Sequence, residues 1–335
     1  VIACLIFPFW ADSYWLSIGT TAMVTIVGSV GLMILTGFTG QISLGHAAFL
    51  GLGAYTAAIT SGVWGLPFWL AIPAAGVVAA IAGLLVGPFA LRLRGLYLAI
   101  VTLGLLFLVQ HLLLSFPALS GGVSGLPVPM YGWFPEDPEA HTLGTFADET
   151  TLFGMEISFE QKLFLVFLVV ATVSAFAAKN IQRSNTGRAM IAVRDHDLAA
   201  AALGVNPAKT KNIAFGVSSF FAGVAGAMFA YQQQFITVNP PFNLQMSVEY
   251  IAIIVLGGIG TTFGAIAGAI SFVILEPMAE VFGEYIPLLN ELSTGQQSTL
   301  LFALIVIGFL VFEPLGLYGV WLRIKRYFVA WPFKY

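Results

Sequence analysis

The chain has 335 residues, of which 59% are hydrophobic and only 9% are charged, and its formal net charge is −3. An ordinary soluble domain carries about 25% charged residues, so this composition excludes a water-soluble globular protein and indicates an outer surface that faces lipid. The single cysteine, Cys4, excludes an internal disulfide.

Apolar runs of about 20 residues, the length that crosses a bilayer, predict the membrane spans. The first ten residues are apolar, and we expect them to be the end of a longer helix. Complete spans are predicted at residues 16–37, 44–63, 66–90, 96–116, 161–178, 211–232 and 298–318. Residues 247–282 are too long for one span, and a glycine-rich stretch at 257–264 divides them into two short helices. The sequence therefore predicts an all-α, polytopic membrane bundle with glycine-broken helical hairpins, forming a single transmembrane domain over residues 1–335.

The distribution of charge predicts the orientation of the chain. Basic residues are concentrated around Arg92, in the segment 179–211 and near the C-terminus, and the positive-inside rule makes these parts cytoplasmic. The segment 117–160 contains seven acidic residues and no Lys or Arg, so we expect it to be an external loop.

The same charges test the division of residues 247–282. An even number of spans must join the cytoplasmic segment 179–211 to the cytoplasmic tail, and only a split at the glycines makes the number even. This gives nine complete spans and a partial one. The glycine-rich stretches at 37–45 and 257–264 then lie on the cytoplasmic side or enter the bilayer from there.

Catalytic motifs are absent from the sequence. It has no Walker A loop, no His-Glu-x-x-His, no Gly-x-Ser-x-Gly and no cysteine pair at metal-binding spacing. We therefore predict that the chain is not an enzyme and has no catalytic or metal-binding residues.

The first glycine-rich stretch contains Gln41, Ser43, Gly45 and His46 between two apolar runs. Such a polar segment cannot face lipid, because its backbone groups would be left without hydrogen-bond partners. Two interpretations stay open. The segment is either a tight hairpin in which His46 only packs, or a broken helix that borders a transport pathway.

The second stretch contains Gly257, Gly258 and Gly260, and the same two interpretations apply to it. Broken segments in matching places of two halves of a chain point to a transport site. Glu249 precedes this stretch within an apolar run. An ionisable residue in a span suggests a functional role, whereas a carboxylate near a helix N-terminus is also favoured electrostatically.

The basic segment 179–211 contains short predicted helices at its centre, with Gly204 as a stop signal before Pro207. It could serve only as a positively charged anchor. Anchoring does not require ordered apolar helices, so we favour a docking surface for a cytoplasmic partner.

Several separated motifs together resemble the permease subunits of branched-chain amino acid ABC importers, of the LivM type. These motifs are Gly-Gln-Ile-Ser-Leu-Gly-His-Ala-Ala-Phe at 40–49, Gly-Ala-Tyr-Thr-Ala at 53–57, and the segments 94–103, 121–126, 187–204 and 256–261. The resemblance extends from about Tyr14 to Leu322, and residues 127–160 match it least well.

The resemblance implies a type II ABC importer-like permease of about nine to ten transmembrane helices in the bacterial inner membrane. The permease would form a heterodimer with a second, homologous permease, and two cytoplasmic ATP-binding subunits and a periplasmic substrate-binding protein would complete the importer of Leu, Ile or Val. This chain would bind membrane lipid but no cofactor and no nucleic acid, because ATP and Mg²⁺ belong to the partner subunits.

The resemblance also assigns the cytoplasmic segment the role of a coupling helix. The predicted coupling residues are Gly187, Arg188, Ala189, Arg194, Asp195, Asp197, Ala200 and Gly204. The pathway candidates are Gln41, Ser43, Gly45, His46, Glu249, Gly257, Gly258 and Gly260. A permease for urea or short amides remains an alternative, as does a stand-alone secondary transporter, which would normally carry more buried charges.

Overall fold

The computed structural model describes residues 5–90, 95–132, 146, 150–152, 155–285, 293–313 and 315–330, which form a bundle of helices. The helices are α1 Ser13–Leu32, α2 His46–Gly62, α3 Phe68–Ala90, α4 Leu96–Ser115, α5 Pro117–Ser120, α6 Phe159–Arg183, α7 Asn185–Asp195, α8 Asp197–Ala202, α9 Pro207–Gln233, α10 Leu244–Gly257, α11 Thr262–Tyr285, α12 Thr294–Phe312 and α13 Gly316–Ala330. A π-helical segment, Met33–Phe38, continues α1, and 3-10 turns lie at Phe7–Phe9 and Gly122–Ser124. The predicted all-helical membrane bundle is confirmed.

All nine predicted spans contain helix, and by length and composition these helices divide into long and short ones. Among the described residues, five helices are long and apolar enough to cross a membrane, or six if the pair α10 and α11 counts as one span. Helix α2 has 17 residues and α10 has 14. Both are shorter than the length of about 20 residues that a helix needs to cross a bilayer. The glycine-rich stretches cause this shortening because they end or delay these helices. The structure describes only residues 5–10 of the predicted partial helix at 1–10, and these contain the 3-10 turn Phe7–Phe9.

The division of residues 247–282 is confirmed. Helices α10 and α11 are separated by a short break and bent by 118° relative to each other. An angle above 90° turns the second helix back toward the side from which the first came. The geometry is therefore that of a broken span or re-entrant loop rather than one long helix.

Helix α9 lies at the centre of the bundle and packs against α1, α2 and α3. Small residues make these contacts close: a Cβ on Gly53 would meet the backbone of Gly223, and a Cβ on Gly226 would meet the backbone of Leu50. A hydrogen bond of 2.5 Å joins Ser61 Oγ on α2 to the Tyr231 hydroxyl on α9. The four helices form the rigid core on which the rest of the chain is placed.

Two short antiparallel ladders lie outside the helical bundle. Strand β1, Leu126–Pro127, pairs with β4, Phe235–Ile236, and β2, Thr150–Leu152, pairs with β3, Met155–Ile157. Three of these strands belong to the predicted external loop 117–160, which also contains α5. Five of the seven acids of that loop lie outside the described residues, as do Arg92 and Arg94.

The predicted cytoplasmic segment 179–211 is largely helical. Helix α6 continues to Arg183 and α9 already begins at Pro207, so the connection proper is residues 184–206. Ser184 caps α7 by accepting a hydrogen bond from the Gly187 N–H, and Gly204 adopts a φ of +88° after α8 ends. The predicted short helices and the stop at Gly204 are confirmed. We call α7 and α8 together the arm.

Candidate functional site

The first glycine-rich stretch is a break between α1 and α2. The π-helical segment Met33–Phe38 is fully buried, and the chain then runs without regular structure to His46. π-helical turns inside α-helices are rare and occur frequently at functional sites. Within the irregular part, Gln41, Ser43 and Gly45 are buried, whereas Gly40 and Ile42 are exposed.

Polar side chains inside the break form hydrogen bonds with one another and with its backbone. Thr36 Oγ1 donates to the Gln41 carbonyl at 3.0 Å, and Thr39 Oγ1 donates to Gln41 Oε1 at 3.1 Å. The Gly45 N–H donates to Ser43 Oγ at 3.3 Å. Gln41 and Ser43 are both buried, so these side chains hold the irregular backbone in place.

His46 is the first residue of α2 and is buried against α1 and α10. Its Nε2 donates to the Gly28 carbonyl at 3.0 Å, and its ring meets the Tyr250 ring edge-to-face at 5.1 Å. These partners make His46 a packing residue that fixes the start of α2. The geometry agrees with the tight-hairpin interpretation for this side chain.

Two side chains from distant helices satisfy the backbone at the end of the break. Thr102 Oγ1 on α4 accepts from the Leu44 N–H at 2.9 Å. Ser247 Oγ on α10 accepts from the Ala47 N–H at 3.0 Å and so caps α2 from another helix. Neither residue could be predicted from the sequence, because an isolated Thr or Ser in an apolar run gives no local sign of such a partner.

The second glycine-rich stretch is the turn between α10 and α11. Gly258 and Gly260 have φ angles of +114° and +86°, which side chains rarely adopt. The Gly264 N–H donates to Thr261 Oγ1 at 3.0 Å and closes the turn. A Cβ on Gly257 would meet the Gly264 carbonyl, so this glycine allows the two helices to approach closely.

The two glycine-rich stretches touch each other. A Cβ on Gly37 would lie 2.7 Å from the Cα and N atoms of Gly260, so the contact is between backbones and has no room for a side chain. The sequence predicted both stretches on the same side of the membrane. It gave no sign of this contact, because neither glycine differs locally from the glycines around it.

Arg194, near the end of α7, binds at this contact. Its Nη1 donates to the Gly37 carbonyl at 2.8 Å, and the same Nη1 lies 3.2 Å from where a Gly260 Cβ would stand. A Cβ on Gly40 would lie 3.2 Å from the Arg194 Cγ. We call Gly37, Gly40, Gly260 and Arg194 the glycine junction. The junction brings together the first break, the turn between α10 and α11, and the arm.

A polar cavity of about 380 Å³ adjoins the junction. Its lining combines residues of the first break, the start of α4, the arm and α9, among them Gln41, Gly95, His196 and Lys211. Gln41, one of the pathway candidates, thus shares this cavity with residues of the arm.

The remaining predicted coupling residues divide into an inner and an outer face. Gly187 and Ala200 are buried and hold the arm against the bundle, and a Cβ on Gly187 would meet the Ile181 carbonyl. Arg194 and Asp195 form an ion pair of 2.8 Å, and Lys211 pairs with Asp197 at 3.7 Å. Ala189 is partly buried, whereas Arg188 and Gly204 are exposed. The outer face also exposes Leu198 and Leu203, at 69% and 87%.

Comparison with known proteins identifies the family of the chain. The model of the family described as the permease component of branched-chain amino acid transport systems matches residues 14–312. The chain belongs to this family. It is a multi-pass membrane permease component of a branched-chain amino acid ABC transport system, and membership of a permease family confirms the prediction that it is not itself an enzyme.

Three relatives illustrate the family. The permease is 36% identical to the high-affinity branched-chain amino acid transport system permease protein LivM of Escherichia coli K12 over 292 residues, 85% of this chain and 68% of LivM. It is 35% identical over the same shares to LivM of Salmonella typhimurium. It is 28% identical to the permease protein LivH of Escherichia coli K12 over 155 residues, 46% of this chain and 45% of LivH. No solved structure matches the permease.

Glu249 lies apart from the glycine junction of the permease. It is partly buried in the second turn of α10 and accepts a hydrogen bond from Gln245 Nε2 at 2.9 Å. The cap of α10 is Asn243, whose side chain accepts from the Met246 N–H at 3.0 Å. Glu249 therefore does not cap the helix, and its predicted place beside the pathway stays a prediction.

Proposed function

We propose that this chain forms one half of the translocation pathway of an ATP-driven importer of Leu, Ile and Val, with a homologous permease as the other half. LivM and LivH are both named as permease proteins of high-affinity branched-chain amino acid transport, and this chain is similar to both. The greater coverage and identity with LivM support a LivM-type position within a heterodimer.

Two cytoplasmic ATP-binding subunits, which hold ATP and Mg²⁺, drive the importer, and a periplasmic protein delivers the amino acid. The membrane is the bacterial inner membrane, with the arm and the C-terminus in the cytoplasm and the loop 117–160 in the periplasm. The basic residues of the arm and of α13 support this orientation.

The arm docks one ATP-binding subunit through its outer face. Leu198 and Leu203 expose apolar surface outside the bundle, and Arg188 on α7 adds an exposed positive charge. Burying apolar side chains within a polar rim is the usual composition of a protein interface.

The observation that carries the coupling proposal is the hydrogen bond from Arg194 to the Gly37 carbonyl. When the ATP-binding subunits move the arm, Arg194 moves with it and pulls on the backbone of the first break. Gly260 touches Gly37 without an intervening side chain, so the same displacement reaches the turn between α10 and α11. Both broken segments then rearrange together and open or close the pathway on the cytoplasmic side.

Two substitutions separate docking from transmission. Arg188→Glu reverses an exposed charge on the docking face, so we expect the ATP-binding subunits to be lost on purification. Arg194→Gln leaves Arg188, Leu198 and Leu203 unchanged but shortens the side chain that reaches Gly37. We expect its complex to purify intact and to hydrolyse ATP, while leucine uptake falls roughly 10- to 150-fold, as the loss of a charged hydrogen bond of roughly 1.5–3 kcal/mol implies.

Arg183→Gln, which changes an exposed arginine at the end of α6, is the matched control and should behave as the unmodified complex. Unimpaired uptake by the Arg194→Gln complex would refute transmission through the junction. Uptake of labelled leucine and of labelled urea, measured side by side in proteoliposomes, tests the substrate. Transport of urea alone would replace the amino acid assignment.

A further inference from the structure

Helix α13 lies beyond the residues that the family model matches. Its 15 residues give it a length of about 22 Å, less than the ~30 Å thickness of the hydrocarbon layer. It carries Arg323, Lys325 and Arg326. Length and charge together exclude a membrane crossing by this helix.

The side chains of α13 are arranged amphipathically. Leu317, Trp321, Ile324 and Phe328 recur at spacings of four, three and four residues, which places them along one side of the helix. Trp321, Ile324 and Phe328 are exposed, at 47%, 45% and 69%. Arg323 and Arg326 lie on the opposite side, and Lys325 lies at the flank of the apolar stripe.

The positive charge of α13 is only partly compensated. Arg323 forms an ion pair with Glu313, just before the helix. Within the part of the chain that the structure describes, no acidic side chain pairs with Lys325 or Arg326. Arg326 only donates from Nε to the Leu322 carbonyl of its own helix, at 3.3 Å. Two cations therefore remain for a partner of opposite charge.

We propose that α13 lies in the headgroup layer of the cytoplasmic leaflet and binds anionic phospholipid. An exposed apolar stripe with cations on the other side and at its flank is the pattern of helices that lie in the plane of a membrane surface. Only residues 313–315 separate α13 from the apolar helix α12, so the helix begins where the chain leaves the bilayer. The leaflet assignment rests on the orientation given under Proposed function.

Helix α13 also supports the second glycine-rich turn. The Trp321 ring stacks on Phe263, the second residue of α11, with centroids 5.6 Å apart. A Cβ on Gly258 would lie 2.6 Å from the Leu315 carbonyl, and one on Gly316 would lie 2.9 Å from the Gly258 nitrogen. Lipid that holds α13 at the membrane surface therefore also holds the turn that touches Gly37. Transport by the complex depends on anionic lipid through this contact.

The binding test uses the complete importer in nanodiscs of phosphatidylcholine alone or of phosphatidylcholine mixed with phosphatidylglycerol. Cys4→Ser removes the single cysteine of the sequence, and Phe328→Cys then carries an environment-sensitive fluorophore on the apolar stripe. We expect a blue-shifted emission, with stronger quenching by brominated phosphatidylglycerol than by brominated phosphatidylcholine.

The double variant Lys325→Gln/Arg326→Gln should lose the preference for the anionic lipid, by roughly fivefold for each charge removed. Lys209→Gln, an exposed lysine at the start of α9, is the matched control and should retain the preference. Equal quenching by the two lipids, or emission typical of water, would overturn the proposal. If the fluorophore were shielded from water only when the ATP-binding subunits are present, that result would also overturn the proposal. The apolar stripe would then be a protein contact.

Two further readouts separate this proposal from the proposed function. Labelling of the same cysteine by a membrane-impermeant maleimide in intact cells tests the leaflet, and labelling from outside would refute the orientation. Leucine uptake, measured in the two lipid mixtures, tests whether lipid bound to α13 supports the turn between α10 and α11. A complex that binds phosphatidylglycerol through α13 but transports no leucine would contradict the substrate assignment and leave lipid binding standing.

Discussion

At Gly226, the absence of a side chain brings α9 against the backbone of α2. The carbonyl, carbonyl carbon and Cα of Leu50 all stand where a Cβ would be placed, and none of them belongs to a flexible side chain. Gly53 and Gly223 form a similar backbone contact between the same two helices. In lipid, helices associate through close packing because apolar burial gives no net gain there.

Gly226→Ala should therefore destabilise the permease by about 1–3 kcal/mol, the usual range for overpacking. The thermal unfolding midpoint of the detergent-solubilised complex measures this loss. Gly104→Ala in α4 is the control, since a Cβ there meets nothing within 4 Å. Equal midpoints for the two variants would show that the α2–α9 contact can relax at no cost.

Ser247 provides a second residue-scale prediction. Its hydroxyl accepts from the Ala47 N–H of another helix and is completely buried. Ser247→Ala leaves that N–H without a partner and should cost about 1 kcal/mol, as the loss of a helix cap does. Ser247→Thr keeps the acceptor and serves as the control. A midpoint unchanged by the alanine would show that Ala47 finds another acceptor.

At the scale of elements, the main result is the meeting of two broken helices with the arm. Local sequence predicted each element well, because hydropathy, glycine clusters and stop signals act over a few residues. The split of residues 247–282, predicted from its glycines and supported by the charge distribution, agrees with the 118° bend. The contact of Gly37, Gly260 and Arg194 could not be predicted, because it depends on how segments that are distant in the sequence pack against one another.

The glycine junction makes an element-scale prediction that does not involve the arm side chains. Gly37→Ala places a methyl group against the Gly260 backbone, so the two breaks must move apart. The core helices do not change, and we expect a folded complex that hydrolyses ATP but imports leucine several-fold more slowly. Gly308→Ala in α12, where a Cβ meets nothing within 4 Å, is the control. Normal import by Gly37→Ala would mean that the breaks need not touch during transport.

For the whole molecule, composition determined the class of protein and the charges determined its expected orientation. The lengths of the helices were predicted less well, since apolar runs were counted without knowing how much of each run would be helical. Helix α2 has 17 residues and is almost entirely buried, so it is apolar because it lies inside protein rather than against lipid. Hydropathy alone does not distinguish these two environments.

The bond between Arg194 and Gly37 ends on a carbonyl oxygen, which every amino acid possesses. Under the proposed coupling, the residues that border the pathway can therefore be exchanged without altering the atom on which the arm pulls. A permease that works in this way can acquire a different cargo while its mechanical link to ATP hydrolysis is inherited unchanged.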